Sequence, residues 1–154
     1  MPFGTKVVVL GLAFLGCVAQ SRGAKPDAPP HVRVEFRRAE SEPAEGLEEA
    51  TVPSTGKKVY LHKEAEITNR DLAGARVTLD VRMEPAVEVR FTEGGRKKMA
   101  RLSERQLLKP LAILVNGQVV CAPTVKAKFS DRALITGRFT QAEAERLAAG
   151  INGK

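Results

Sequence analysis

The chain has 154 residues, a length that suits one domain. Its formal net charge is +7, from 25 basic and 18 acidic residues, but opposite charges are interspersed and the chain holds one Tyr and no Trp. Because nucleic-acid sites combine clustered basic residues with stacking aromatics, we expect no nucleic-acid partner. Two cysteines exclude a framework of several disulfides, and 43% hydrophobic residues are enough for an aliphatic core.

The first segment, 1–24, has the pattern of an export leader. Lys6 precedes an apolar run over 7–15, which is shorter than the ~20 residues of a membrane-spanning helix. Two processing routes stay open: lipidation of Cys17, whose Leu-Gly-Cys context is similar to a bacterial lipobox, or signal-peptidase cleavage near Ala19. We therefore expect an exported protein, periplasmic or secreted, that meets the membrane only through a lipid anchor, if it has one.

A proline-containing linker, 25–31, precedes the predicted domain, 32–152. Apolar and polar residues alternate in "HVRVEFRRAE" (31–40) and in "KKVYLHKE" (57–64), which predicts two half-buried strands. The acidic, turn-rich segment between them predicts a loop.

Two further alternating segments, 75–82 and 86–94, predict antiparallel strands joined by a short turn. The first is expected to bury Val77, Leu79 and Val81. The inward positions of the second are Val87, Val89 and Phe91.

Threonines mark the starts of three helical segments. Thr68 opens a short helical turn, Thr92 caps a helix over 93–102, and Thr140 begins the last helix, 141–152, in a capping box with Glu143. The predicted core positions of the two main helices are Met99, Leu102, Ala144, Leu147, Ala148 and Ile151.

The segment "LAILVNGQVVCAP" (111–123) predicts a β-hairpin, because Asn-Gly suits a type I′ turn between two β-prone runs. A further strand is expected at 134–139. The sum is an α+β fold: a mostly antiparallel sheet with two main helices packed on one face.

Cys121 ends the second hairpin strand and is the one cysteine of the predicted domain. A nucleophilic thiol needs a lowered pKa and a nearby histidine, for which the chain offers His31 and His62. We interpret Cys121 as a buried strand residue, and a small envelope enzyme that uses it remains the alternative. We predict no catalytic residues, no cofactor and no metal, since His62 has no second ligand at a suitable spacing.

Basic residues are concentrated in one helix and the loop after it. As a candidate binding patch these residues would contact anionic lipid, cell-wall polymer or an acidic partner, whereas neighbours such as Glu93 and Glu104 favour an ordinary solvated face. Arg76, Arg82 and Arg90 are expected to point outward from nearby strands. The patch consists of Arg96, Lys97, Lys98, Arg101 and Arg105, followed by Lys109.

Four segments, in order, resemble the P1 head subdomain of the SecD/SecDF family. They are "ITNRDLAGARVTLD" (67–80), "AVEVRFTEGGRKKMARLS" (86–103), "LAILVNGQVVCAPTV" (111–125) and "ITGRFTQAEAERLA" (135–148). The strand "VRVEFRRAE" upstream also fits the family's opening strand. In this chain Asn116 replaces the usual Asp of the hairpin, and Cys121 stands where the family often has Ser.

The resemblance implies a non-enzymatic module that binds protein or peptide in the cell envelope, such as an unfolded or translocating chain. A sheet edge or a groove between helix and sheet would provide main-chain pairing for an extended segment. Proton-driven export needs ionisable residues inside a membrane bundle, so this segment is not expected to be a translocase motor by itself. The oligomeric state is not predicted.

Overall fold

The computed structural model describes residues 31–153, so the predicted leader and Cys17 lie outside the described residues. Eight strands and two α-helices occur in this range, together with one 3₁₀ turn. In chain order they are β1 (Val34–Glu40), β2 (Glu48–Thr51), β3 (Lys58–Thr68), the 3₁₀ turn (Asn69–Asp71), β4 (Leu72–Leu79), β5 (Pro85–Phe91), α1 (Glu93–Arg105), β6 (Leu111–Val115), β7 (Gln118–Cys121), β8 (Arg132–Ile135) and α2 (Gln141–Asn152).

The strands form two antiparallel sheets. The larger has the order β2-β3-β1-β6-β7 and the smaller the order β4-β5-β8. The α+β class and the mostly antiparallel pairing are confirmed. The division into two sheets was not foreseen, because alternation within a strand does not say which strands become neighbours.

One main core joins both sheets and both helices. Phe36 from β1 and Phe91 from β5 meet edge to face, with their ring centroids 5.8 Å apart. α2 packs on β4 and β5, while α1 packs against β3, β5 and the 3₁₀ turn. All six predicted helix core residues are buried: Met99, Leu102, Ala144, Leu147, Ala148 and Ile151. A second, smaller apolar cluster lies on the other face of the larger sheet and includes Ala112 and Leu114.

The predicted start of α1 is confirmed, and a tight packing contact fixes its position. Thr92 Oγ1 accepts a hydrogen bond from the N–H of Gly95 at 3.0 Å, and the N–H of Thr92 donates to the carbonyl oxygen of Asp71 at 2.9 Å. A Cβ atom on Gly95 would overlap that same carbonyl oxygen. The helix therefore lies against the 3₁₀ turn at a distance that only glycine permits.

Two turn predictions are confirmed in detail. Asn116 and Gly117 have φ values of 51° and 83°, as a type I′ hairpin requires. At the start of α2, the N–H of Thr140 donates to Glu143 Oε2 at 2.8 Å, and the N–H of Glu143 donates to Thr140 Oγ1 at 3.2 Å. This reciprocal pair is the predicted capping box.

Three strand predictions need correction. The segment predicted as an acidic loop contains β2, which pairs with β3 along the sheet edge. β4 ends at Leu79, and both Leu79 and Val81 are exposed, because Asp80 Oδ1 accepts hydrogen bonds from the N–H groups of Arg82 and Glu84 and turns the chain. The strand predicted at 134–139 is β8, which begins and ends earlier.

Within 31–153, neither helix is long and apolar enough to cross a membrane.

Candidate functional site

A cleft of about 950 Å³ opens where the two sheets approach each other. Its walls come from the ends of β7 and β8, the turn between β4 and β5, and the turn between β2 and β3. Leu134 and Val81 contribute apolar surface, with 37% and 99% of their areas exposed. The cleft thus presents apolar side chains beside the ends of β7 and β8.

One edge of the smaller sheet, β4, is capped at Ala75. α2 packs along β4, and the side-chain amide of Asn152 pairs with the backbone of Ala75. The N–H of Ala75 donates to Asn152 Oδ1 at 2.8 Å, and Asn152 Nδ2 donates to the carbonyl oxygen of Ala75 at 2.9 Å. At Ala75, Asn152 thus takes the place that a neighbouring strand would occupy, which blocks pairing with another chain at this position.

The opposite edge of the same sheet, β8, is open. The N–H of Phe91 donates to the carbonyl oxygen of Asp131 at 3.2 Å, which makes this a hydrogen-bonded pair. Pairs of this type alternate along an antiparallel ladder, so the backbone groups of Arg132 and Leu134 point away from β5. Within 31–153 no hydrogen bond satisfies them, and Leu134 also lines the cleft.

Cys121 lies where β7 approaches the end of β8. Its thiol is hydrogen-bonded to Thr136, and the residue is 5% exposed. Burial raises the pKa of Cys121 to about 11 and outweighs the hydrogen bonds to Thr136, which lower it. The thiol is therefore protonated at neutral pH. His62 lies 3.4 Å from Glu40, and among the described residues no hydrogen bond joins the thiol to either histidine. This environment suits the buried strand residue that we inferred and opposes a nucleophile.

The predicted basic patch lies along the exposed side of α1, but carboxylates accompany most of its members. Lys97 Nζ lies 3.1 Å from Glu93, Lys98 Nζ 2.8 Å from Asp71, and Arg105 3.3 Å from Glu66. Lys109 is likewise 3.2 Å from Glu40, and Arg96 3.8 Å from Asp131. The side chain of Arg101 has no ion pair within the described range. Such paired charges resemble an ordinary solvated helix face more than a concentrated positive field.

The described residues contain no group of three or more His, Cys, Asp or Glu side chains placed to hold a metal ion. The site residues that sequence reasoning missed are those of the β8 edge. "RALI" shows weak alternation, but only the pairing of the strands reveals that Arg132 and Leu134 lie on an unpaired edge.

The fold and the cleft define a small α+β domain whose three-stranded sheet has one edge capped at Ala75 and one open edge beside the cleft. Residues 44–153 match the family model of the SecDF P1 head subdomain, and the chain belongs to that family. The opening strand β1 precedes the matched range.

The curated relatives are much longer proteins. The protein translocase subunit SecD of Aquifex aeolicus is 38% identical over 94 residues, which are 60% of this chain and 19% of the relative. The SecD of Elusimicrobium minutum is 36% identical over 90 residues, 58% of this chain and 19% of the relative. The chain thus spans about a fifth of the length of these relatives.

Solved structures share the fold. A crystal structure of SecDF in a super-membrane-facing form matches with a TM-score of 0.65 and 24% identity, over 80% of this chain and 19% of that chain. A second structure, described as a membrane component SecDF that enhances protein export, matches with a TM-score of 0.63 and 22% identity, over 80% of this chain and 63% of that chain.

Proposed function

We propose that this chain is an exported, non-enzymatic module that binds extended polypeptide in the cell envelope. The relatives are named protein translocase subunits, and one similar structure is described as enhancing protein export. Both names support a polypeptide partner. The module would act by binding, since Cys121 is buried and protonated.

The open edge of β8 beside the cleft is the observation that carries this proposal. An extended segment that pairs with β8 would satisfy the outward backbone groups of Arg132 and Leu134. Its alternate side chains would reach into the cleft, next to Leu134 and Val81. Main-chain pairing accepts many sequences, which suits a protein that meets unfolded chains.

A proline at position 134 tests the proposal. Leu134→Pro removes an N–H that β5 does not use, so the sheet should tolerate it as an edge position, while an incoming strand loses a donor. Leu134→Val keeps the N–H and is the matched control. Fluorescence polarisation with a labelled, permanently unfolded polypeptide such as reduced carboxymethylated lactalbumin should show weaker binding to Leu134→Pro and near-normal binding to Leu134→Val.

Circular dichroism must show both variants folded. Equal binding by the two folded variants, or no binding by the unaltered protein, would contradict polypeptide pairing at β8.

Export and lipidation depend on the leader, which lies outside the described residues. We propose that the protein is exported and that Cys17 carries the lipid anchor. Mass spectrometry of the mature N-terminus should show a diacylglyceryl-modified Cys17, and Cys17→Ser should release the protein from the membrane fraction. An unmodified terminus near Ala19 would support simple secretion, and an intact leader in the cytoplasm would contradict export.

A further inference from the structure

Four arginines surround a small cavity on the outer face of the three-stranded sheet. The cavity has a volume of about 460 Å³ and receives side chains from β4, β5, β8 and the first turn of α1. We call it the arginine pocket, and its lining residues are Arg76, Glu88, Arg90, Arg96, Asp131 and Arg132.

The arginine pocket carries an excess of positive charge. Glu88 lies 2.9 Å from Arg76 and 3.5 Å from Arg132, and the hydrogen bond from Arg76 lowers the pKa of Glu88 below its usual range. Asp131 is 3.8 Å from Arg96. Arg90 is exposed, and within 31–153 its side chain has neither a hydrogen bond nor an ion pair. Four guanidinium groups therefore share two carboxylates.

The position of Arg90 is unfavourable without an added anion. Arg90 and Arg132 are register partners across β5 and β8. The alternation described above makes them a non-hydrogen-bonded pair, whose side chains lie closer together than those of a hydrogen-bonded pair. Like charges directly opposite each other destabilise a sheet. In contrast, the pairing of β4 with β5 places Arg76 opposite Glu88. A carboxylate between Arg90 and Arg132 would remove the repulsion.

The arginine pocket adjoins the open edge. A strand added to β8 would place its side chains alternately on the two faces of the sheet. If one of its residues lay beside Arg132, the residue two positions away would lie beside Leu134, on the same outer face. An acidic side chain at the first position would reach Arg132 and Arg90. Guanidinium groups bind carboxylates through paired, charge-assisted hydrogen bonds.

We propose that the arginine pocket selects acidic side chains in the polypeptide that pairs with β8, so that segments with an acidic and an apolar residue two positions apart are preferred. This specificity rests on the proposed binding of extended polypeptide. The arginine pocket would recognise a side chain of the bound polypeptide, while the edge of β8 would recognise its backbone.

The test compares two labelled peptides, one with three repeats of Glu-Thr-Val-Ser and one with three repeats of Gln-Thr-Val-Ser. Fluorescence polarisation measures their binding to the purified protein, to Arg90→Gln/Arg132→Gln and to the charge-matched control Arg70→Gln/Arg146→Gln, whose exposed arginines lie outside the arginine pocket. The unaltered protein and the control should prefer the Glu peptide by about tenfold, the gain expected from one charge-assisted contact. The pocket variant should bind both peptides alike.

Failure of this inference and failure of the proposed function give different results. If the unaltered protein binds both peptides equally well, the acidic preference is wrong while polypeptide binding stands. If neither peptide binds, both proposals fail. A third arm uses vesicles of phosphatidylglycerol: binding that depends on Arg90 and Arg132, without a preference between the peptides, would assign the pocket to lipid instead and overturn the inference.

Discussion

The two edges of the three-stranded sheet differ in whether their outward backbone groups have hydrogen-bond partners. On β4, the side-chain amide of Asn152, at the end of α2, caps the edge at Ala75 and satisfies the backbone of that residue. On β8, the outward backbone groups of Arg132 and Leu134 have no partner within the described residues. Exposed edges invite pairing with other chains, and the open edge of β8 beside the cleft is where we propose that extended polypeptide binds.

The two strand pairs of this sheet, β4–β5 and β5–β8, also differ in the charges that face each other. Between β4 and β5, Arg76 faces Glu88 in a stabilising pair. Between β5 and β8, Arg90 faces Arg132. The β4–β5 pairing thus matches opposite charges, whereas the β5–β8 pairing combines the Glu88–Arg132 ion pair with the like-charge pair of Arg90 and Arg132.

Weakening the packing of α2 on the three-stranded sheet should have the largest effect on stability. Ile151→Ala removes a fully buried side chain of α2 from the main core and should lower the free energy of unfolding by ~2–5 kcal/mol. Urea denaturation followed by circular dichroism measures the change. The exposed substitution Glu145→Ala in the same helix should stay within ~0.5 kcal/mol, and a similar loss in both would mean that packing of α2 is not responsible.

Opening the β4 edge without removing the helix should have a smaller effect. Asn152→Ala exposes both backbone groups of Ala75 to water and should lower the free energy of unfolding by ~0.5–1.5 kcal/mol, the net value of an exposed hydrogen bond. Hydrogen exchange of the Ala75 amide should accelerate, and the protein should associate more readily. Asn152→Asp can still accept from the N–H but cannot donate, so its effect should be intermediate. Unchanged exchange at Ala75 in Asn152→Ala would show that Asn152 does not protect this edge.

The pH dependence of the free energy of unfolding, through the capping box of α2, gives a third test. The hydrogen bonds from the backbone N–H and the hydroxyl of Thr140 hold the pKa of Glu143 below its ordinary value of 4.5. Glu143 therefore stabilises the folded protein above the ordinary pKa, and the stabilisation is lost as the pH falls through the lowered value. Urea denaturation from pH 7 to pH 3 should show that the advantage over Glu143→Gln shrinks on acidification. A difference that stays constant would rule out this linkage.

The smallest effect on stability should come from a substitution in the β5–β8 strand pair. Arg90→Glu converts a like-charge pair with Arg132 into an opposite pair and should stabilise the protein by about 0.2–1 kcal/mol. The converse substitution, Arg76→Ala in the β4–β5 strand pair, should destabilise it by a similar amount. Thermal unfolding at low ionic strength measures both. A loss of stability in Arg90→Glu would show that the two arginines do not repel each other.

Local patterns predicted the elements that depend on neighbouring residues. The Asn116-Gly117 turn, the Thr140 capping box and the inward faces of β5, α1 and α2 follow from turn chemistry and periodicity, and all are confirmed. β2 was missed because Glu48 and Glu49 lie on a solvated edge, where alternation gives no signal. Leu79 and Val81 fit the strand pattern, but the turn at Asp80 interrupts it.

The candidate site depended on contacts between distant segments. Arg76 and Arg90 were expected to point outward, but Arg132 was not singled out, and Arg96 was grouped with the other charges of α1. Only the register of β4, β5 and β8 brings these residues to one pocket. The open edge itself follows from strand order, which is a property of the whole fold.

Amide hydrogen exchange, followed by NMR with and without an unfolded polypeptide, tests the central claim most directly. Pairing at β8 predicts that the amides of Arg132 and Leu134 exchange rapidly in the free protein and become protected when the polypeptide is added, while Ala75 on β4 stays unchanged. Protection that appears on α1 or β4, with Arg132 and Leu134 unaffected, would contradict the claim that the open edge of β8 binds polypeptide.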